Sequence, residues 1–336
     1  MFTFRILCCL IPCCLIPCWL SSCGALSFYT QAARGQAQIS LSKRPVTKVI
    51  DDPETHADLV SKLKLSQEIV DFAESELSLD ASGSYRHYTD LQRDHVVHIV
   101  HAASEFSLEP KTWWYPVVGT QDYRGYFRKK DAQELTSQLQ AEGFDTYMGG
   151  VNAYSTLGFF NDPLLNTFID YPEVDLAELI FHELTHHRYY EKNQTPFNEA
   201  LAEVVAREGT RRWLRKRGKA DALANYELRL QRRSQIRSAI EATIADLETL
   251  YTSGLPLQQM GVRKKAEFES LHREVTRLYA GWQQKPTNFL STPLNNARLN
   301  AFTTYEALVP TIEKRLEGHG GDLEAFFKDI EKNGPK

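Results

Sequence analysis

The residues with the clearest chemical meaning form the run His-Glu-Leu-Thr-His, from His182 to His186. The two histidines are four positions apart, so on a helix they lie on one face, one turn apart, where both imidazoles can bind one metal ion. Glu183 lies about 100° further around such a helix, which directs its carboxylate at a ligand of the metal, such as a water molecule. Catalytic zinc usually has three protein ligands and one water molecule. The sequence therefore predicts one zinc ion per chain, with Glu183 as general base and a third ligand from elsewhere.

A second acidic segment offers the third ligand. A helix is predicted over 197–213, just after Pro196, and it carries Glu199 and Glu203. Its Asn-Glu start resembles the third-ligand signature of thermolysin-like zinc peptidases, the gluzincins, which implies that Glu199 binds the metal. The resemblance also implies that Glu203, four positions further on, accepts a hydrogen bond from a ligating histidine. The connection from His186 to Glu199 is shorter than in thermolysin, so Glu203 is the alternative ligand.

The N-terminal segment predicts export and a lipid anchor. All six cysteines lie within the first 23 residues, where Arg5 is the only charged residue. A basic start, an apolar middle and small residues before a cleavage site are typical of a secretory signal peptide, predicted here over 1–22. The sequence Leu-Ser-Ser-Cys that ends at Cys23 resembles a bacterial lipobox, in which the cysteine is lipidated and becomes the first mature residue. A plain signal peptide or a short membrane helix is the alternative.

Gly24, and not aspartate, follows this cysteine. By resemblance to sorted lipoproteins, that residue favours the outer membrane. We therefore expect a protein of the bacterial cell envelope that is lipid-anchored and faces the periplasm.

The rest of the chain divides by pattern into three regions. Residues 23–84 are predicted to form a tether and N-terminal helices. From about Tyr85, short β-rich runs separated by glycine, proline and aspartate predict one small sheet. These runs are 95–100, 112–118, 123–127, 146–151 and 167–169. From Val174 onward, apolar residues recur at helical spacing.

These patterns predict an α+β protein of zincin-like architecture. A small β-sheet would pack on the helix pair that carries the metal ligands. The predicted catalytic core is 85–217, and a mainly helical C-terminal region follows over 218–336.

Several motifs outside the metal site resemble the bacterial predicted aminopeptidase family. Two of them are Tyr-x-Gln-Ala-x-x-Gly-Gln, at 29–36, and Tyr-Arg-Gly-Tyr-Phe, at 123–127. The others lie at 149–158, 181–186, 197–199 and 293–299. The resemblance covers nearly the whole mature chain and implies a zinc metallopeptidase, with aminopeptidase specificity. The residues themselves do not separate an aminopeptidase from an endopeptidase.

Peptide hydrolysis also requires groups that hold the substrate and stabilise the oxyanion that develops on the attacked carbonyl. Candidates for these roles are Asn152, Tyr154, Tyr189, Tyr190, Arg298 and Tyr305. The segment 150–154 precedes the metal helix at the place where gluzincins, by resemblance, have an edge strand to which a peptide adds. An ordinary glycine-rich turn beside a core strand is the alternative. An aminopeptidase must also bind a free α-ammonium group, and the candidates are Asp162, Asp170, Glu173 and Glu203.

The composition limits the partners. The 39 basic and 43 acidic side chains give a net charge of −4, so no sequence-wide positive field favours nucleic acid. The expected partners are a peptide substrate and, through the acyl anchor, the lipid bilayer, whereas the sequence identifies no second protein partner. A different function is also compatible with the sequence: an envelope lipoprotein that uses zinc structurally and acts as a binding or assembly factor. Glu183 favours the enzyme, because a structural zinc site needs no general base.

Overall fold

The computed structural model describes residues 17–115, 119–153, 156, 160–286, 288–306 and 308–335, and it describes side chains from Phe28 onward except at 288 and 303–306. Residues 1–16 and Tyr154 lie outside the described residues, as do the side chains of Cys23 and Tyr305.

The helices are α1 Pro17–Leu41, α2 Val46–Ile50, α3 Ala57–Glu76, α4 Lys129–Ala141, α5 Glu173–Arg188, α6 Thr195–Lys216, α7 Ala220–Tyr251, α8 Leu257–Gly281, α9 Asn296–Glu306, α10 Val309–Gly318 and α11 Leu323–Asn333. The strands are β1 Arg44–Pro45, β2 His87–Thr89, β3 Val97–Ser104, β4 Trp113–Tyr115, β5 Gly119–Gln121, β6 Arg124–Tyr126, β7 Phe144–Val151 and β8 Leu164–Leu165. This is a mixed α+β protein, as predicted.

The described strands form three small sheets where the sequence predicted one. Their orders are β6-β3-β7, β1-β2-β8 and β4-β5. The predicted strand at 167–169 was wrong: these residues form a turn in which the amides of Phe168 and Ile169 donate to the carbonyl oxygen of Leu165. Both side chains are buried. A buried turn therefore gave the same apolar pattern as a short strand.

The sheet β6-β3-β7 separates an apolar layer from a cleft. Its strands are antiparallel, and β7 lies at one edge, paired with β3 from Val97 opposite Val151 to Ser104 opposite Phe144. Side chains alternate between the two faces of a strand. Val100 of β3 accordingly packs in an apolar cluster with residues of α4, a helix that the sequence did not predict, whereas Val97 lines the cleft.

Helices α5 and α6 form the predicted pair. Helix α5 begins after Pro172, has acidic residues in its first turn and ends with His186, His187 and Arg188, an order that complements the helix dipole. Its apolar face is fully buried, and Phe181 lies at the centre of that face. Helix α6 crosses it closely at Gly209, where a Cβ atom would lie 2.9 Å from the Phe181 ring and 2.7 Å from the Leu77 side chain. The absence of a side chain at Gly209 lets the two helices approach.

The C-terminal helices attach to the sheet through buried polar contacts. Asn296 donates from its side chain to the carbonyl oxygens of Ser104, Glu105 and Ser107, each 3.0 Å away, and its backbone amide donates to Asp145. This explains the motif at 293–299, which joins α9 to the ends of β3 and β7.

The predicted tether is helical over much of its length. Helix α1 continues to Leu41, and the Phe28 ring packs at 5.5 Å on the ring of Tyr126 in β6. The sequence predicted a tether and N-terminal helices over 23–84, and Ile39, near the end of α1, is buried in the main apolar cluster. In the described part of the chain, no helix combines the length and the apolar character that crossing a membrane requires.

The crossing at Gly209 yields a prediction about stability. We expect Gly209→Ala to lower the free energy of unfolding by about 1–3 kcal/mol, because the added methyl group overpacks the contact with Phe181 and Leu77. The matched control is Gly261→Ala in α8, where the nearest atom would lie 3.9 Å from the new Cβ. That change should raise stability by up to about 1 kcal/mol through helix propensity. Urea unfolding of both variants measures the difference, and equal effects would contradict the close crossing.

Candidate metal centre

Helices α5 and α6 bring the three predicted ligands together. The Nε2 atoms of His182 and His186 lie 3.3 Å and 3.7 Å from Oε2 of Glu199, and the two imidazole rings are 4.9 Å apart and nearly perpendicular. Their ligand atoms all lie within 4.8 Å of one another. Tetrahedral zinc with bonds of about 2.0–2.1 Å separates its ligand atoms by roughly 3.3–3.4 Å. Two nitrogens and one carboxylate oxygen at these distances fit a zinc ion.

The electrostatics of the site favour a charged Glu199. Burial disfavours the carboxylate, but the adjacent His186 and His182 hold the Glu199 pKa far below its usual range. For His182, burial opposes the charged imidazole, yet the hydrogen bond and the charge of Glu199 raise its pKa to about 9. The charged form of Glu199 and the protonated form of His182 thus stabilise each other against the effect of burial. The same negative charge of Glu199 attracts a metal cation.

Glu183 occupies the position that the helical spacing predicted. Its side chain is buried beside the three ligand residues and lines the same cleft. Burial raises the pKa of its carboxyl group, and the positive character of His182 and His186 partly offsets that increase. A glutamate with a raised pKa accepts a proton and releases it again near neutral pH.

Glu203 lies behind His182 and not among the ligand atoms. Its Oε2 is 4.0 Å from Nδ1 of His182, which is the ring atom turned away from Glu199. This distance is too long for a hydrogen bond, although the position is the one that orients a ligating imidazole. Its Oε1 lies 2.8 Å from both Nε of Arg207 and Nη1 of Arg233. The structure thus brings Glu199 to the metal-binding face and holds Glu203 with two arginines.

Sequence reasoning missed these arginines. Arg207 lies four positions after Glu203 on α6, a spacing that could have revealed the pair. Arg233 comes from α7, and nothing in the sequence connects it with the site.

The cleft beside these residues has a volume of about 860 Å³. It lies between the helix pair and the sheet β6-β3-β7, and edge-strand residues Gly150 and Val151 line it. The described part of the segment 150–154 therefore lies in the cleft beside the candidate metal site. A cleft of this size can hold several residues of a peptide.

The predicted oxyanion and substrate residues have different positions. The Asn152 side chain lines the cleft, but its amide group is engaged by Tyr171 and by His95, each 2.5 Å away. Tyr189 donates to Glu191 at 2.8 Å and is not among the described cleft-lining residues. The guanidinium of Arg298 lies 3.9 Å from the ring centre of Tyr147, and Arg298 is likewise outside that lining.

Two tyrosines of the cleft stand out instead. Tyr123 connects β5 with β6 and is half-buried, with its ring 5.5 Å from that of His101. Burial raises its pKa strongly, and the carboxylates of Glu199 and Glu183 raise it further, so the hydroxyl stays protonated close to both. Tyr190, named among the candidates, accepts a hydrogen bond from Gln121 at 3.1 Å. The motif at 123–127 marked the segment of Tyr123 but gave the residue no role.

Two of the acidic residues considered for an α-ammonium group, Asp162 and Glu173, have contacts outside the described cleft lining. Asp162 lies 3.1 Å from Nε2 of His187, and Glu173 contacts Trp213, Arg217 and Lys219. The cleft is also lined by Asp175 and Glu178, which lie two turns and one turn before His182 on α5 and both contact Arg229. The sequence did not single out either one.

The comparison with protein families shows which family the chain belongs to. Residues 27–334 match the family model described as "Putative aminopeptidase". The chain belongs to this aminopeptidase family. The family description suggests a peptidase, and it agrees with the resemblance that the sequence motifs indicated. Searches of curated proteins and of solved structures give no match to this member of the aminopeptidase family.

The different positions of Glu199 and Glu203 predict different effects on metal binding in this aminopeptidase-family protein. Glu203→Gln should weaken zinc binding by about 10-fold to 100-fold, as expected when a group that orients a ligating histidine is lost. Glu199→Gln should weaken it more, because a ligand itself is lost. Competition with a fluorescent zinc chelator measures both affinities, and thermal unfolding shows whether the variants fold. A larger loss in Glu203→Gln, with the fold intact, would identify Glu203 as the ligand.

Proposed function

We propose that the protein is a zinc-dependent aminopeptidase of the gluzincin type. The observation that carries the proposal is the convergence of His182, His186 and Glu199, with Glu183 beside them, at a peptide-sized cleft. The helix pair that faces a small sheet with an exposed edge strand also supports a zincin-like architecture. The family description supports the reaction class.

Zinc fits the chemistry of the donor set, and His182, His186 and Glu199 would hold it. When bound there, zinc supplies an activated water molecule at neutral pH and polarises a carbonyl group. A structural site usually has four protein ligands, and among the described residues only three converge here. An open fourth position favours catalysis over a purely structural role.

Glu183 moves the proton of the reaction. It takes a proton from the attacking water and delivers it to the nitrogen of the scissile bond. The leaving group then departs as a neutral amine. Its burial excludes bulk water and keeps its pKa above the usual range. Both effects suit a carboxylate that must be base first and acid afterwards.

Tyr123 stabilises the oxyanion of the attacked carbonyl. Tyr123 is half-buried and lines the cleft together with Glu183 and Glu199, from the sheet side opposite the helix pair. A phenol that stays protonated donates a hydrogen bond, and a donor is worth most where water is excluded. Tyr123 takes the role for which the sequence suggested Tyr189 and Arg298.

The edge strand β7 holds the peptide backbone. Strand β3 occupies one side of β7 over its whole length, and the other side is not paired with a described strand. Gly150 and Val151 line the cleft at the end of this free side. An extended peptide can form backbone hydrogen bonds there as an additional strand.

The acidic lining of the cleft supports recognition of the substrate through its free N-terminus. The charged residues in its described lining, apart from the histidines, are all acidic: Asp175, Glu178, Glu183, Glu199 and Glu203. Arg229 compensates part of this charge from outside the described lining, through Asp175 and Glu178. The carboxylates of the lining still attract an α-ammonium group and repel an acidic peptide end.

The position of α1 supports action at a membrane surface. Cys23, the proposed lipidation site, lies within the range of α1, six residues before Tyr29, and Tyr29 lines the cleft. At about 1.5 Å per residue, this is roughly 9 Å along the helix axis. A lipid on Cys23 would hold the cleft close to the bilayer.

The general base is tested by Glu183→Gln. We expect peptide hydrolysis to fall by about 100-fold to 10,000-fold, because the amide cannot accept the proton of water. The zinc content, measured by mass spectrometry, should stay the same. Undiminished hydrolysis in a fully metal-loaded variant would reject the enzyme mechanism and favour the structural zinc lipoprotein.

The wild-type enzyme should also cleave matched peptides with a free N-terminus faster than their acetylated forms, and equal rates would reject aminopeptidase specificity.

The role of Tyr123 is tested by Tyr123→Phe. This variant should reduce kcat by about 100-fold to 1,000-fold with little change in KM, because it loses a hydrogen bond formed mainly in the transition state. The matched control is Tyr115→Phe, which removes a phenol hydroxyl from the same cleft away from Glu183. A phosphinic peptide, which resembles the tetrahedral oxyanion, should bind Tyr123→Phe more weakly by a similar factor. Equal kinetics in both variants would exclude this role for Tyr123.

A further inference from the structure

We infer that helix α1 is part of the substrate site, and that Tyr29 is a specificity-determining residue that binds a large apolar side chain of the peptide. The inference rests on the proposed peptidase function and adds a preference within the substrate class. It assigns a role to the motif Tyr-x-Gln-Ala-x-x-Gly-Gln at 29–36, which the metal centre does not explain.

Three contacts of Phe28 dock α1 on strands β6 and β4. The Phe28 ring packs at 5.5 Å on Tyr126 and at 5.6 Å on Tyr115. The guanidinium of Arg124 lies 4.2 Å from the centre of the Phe28 ring. An aromatic cluster with a stacked cation fixes the start of the motif against β6.

The next two contacts extend this docking toward the end of the motif. The side-chain oxygen of Gln31 accepts a hydrogen bond from the backbone amide of Phe127 at 3.0 Å. At Gly35, a Cβ atom would lie 2.1 Å from the ring of Phe127. Glycine is therefore required where the ring meets the helix, and the motif residues Gln31 and Gly35 both serve the contact with Phe127.

This docking sets which side of α1 faces the cleft. Tyr29 and Ala32 are three positions apart, so they share a face of the helix, and both line the cleft with the metal-site residues. Ala32 is small, so it leaves space next to the larger ring. The wall that α1 adds thus combines an aromatic surface with a recess.

The exposure of Tyr29 distinguishes it from the other cleft aromatics. Its side chain is 44% exposed, whereas Phe28 next to it is 9% exposed. A large aromatic ring that a docked helix keeps open to a cleft still has apolar area to bury. An apolar side chain of a bound peptide can cover this area, and the acidic part of the cleft lies elsewhere, along α5 and α6.

The experiment uses the full-length, zinc-loaded protein and a panel of short alanine peptides in which one phenylalanine occupies each position in turn. For the wild type, we expect one position at which phenylalanine raises kcat/KM by about 10-fold to 100-fold over the all-alanine peptide. Tyr29→Ala should remove most of this increase, so that this variant hydrolyses the phenylalanine peptide with a kcat/KM close to its own value for the all-alanine peptide. Tyr29→Phe should keep the increase, because the ring and not the hydroxyl makes the contact.

Two controls separate recognition from folding. Trp114→Ala truncates another exposed aromatic side chain, which is not among the described cleft-lining residues, and should leave the preference unchanged. Gly35→Ala should displace α1 and lower kcat/KM for all peptides together. Binding of the phenylalanine peptide to the Glu183→Gln protein, followed by fluorescence anisotropy, should weaken when Tyr29→Ala is added.

The outcomes that contradict the inference differ from those that contradict the proposed function. If the wild type hydrolyses the panel but Tyr29→Ala keeps the same preference, or loses activity equally on every peptide, Tyr29 does not determine specificity. If the wild type hydrolyses no peptide of the panel while it holds zinc, the proposed peptidase function fails, and the inference fails with it.

Discussion

The close crossing of α5 and α6 is the contact on which the metal site depends. His182 and His186 lie on one helix and Glu199 on the other, and their ligand atoms meet within 4.8 Å only because the helix backbones approach at Gly209. A larger residue there would press on Phe181, which lies on the turn that begins the His-Glu-Leu-Thr-His run. Apolar packing thus fixes the spacing that a metal ion requires, and the site does not have to be assembled by the ion itself.

The second requirement of the site is charge compensation. Glu183 and Glu203 are buried and Glu199 is half-buried beside the histidines, and carboxylates in such surroundings repel one another unless cations lie close. Arg207 of α6 compensates part of this charge, and Arg233 of α7 adds a second cation. The C-terminal helical region therefore contributes a side chain to the surroundings of the site as well as packing to the fold. It supplies Arg233, whose guanidinium contacts the carboxylate of Glu203.

The sequence revealed the parts of the site whose geometry is set within one helix. The spacing of His182, Glu183 and His186 predicts their relation because the helical repeat alone determines it. Glu199 could be ranked above Glu203 only by resemblance, since the crossing of two helices is a tertiary property. Arg233 could not be predicted at all, because its contact with the site depends on how α7 folds back. The same reasoning explains the three sheets in place of one: strand pairing joins distant segments, and a local pattern does not record it.

The N-terminal segment contains a motif whose structural role could not be inferred from the sequence alone. Gln31 and Gly35 bear no relation to Phe127 in the linear chain, yet each is explained by it: one accepts the Phe127 amide hydrogen, and the other leaves room for the ring. A tether needs neither residue, because a mobile linker makes no specific contacts. The two motifs at 29–36 and 123–127 are therefore halves of one interface. Since Tyr123 lines the cleft from one half and Tyr29 lines it from the other, a displacement of α1 from β6 changes both the shape of the cleft and the surroundings of Tyr123.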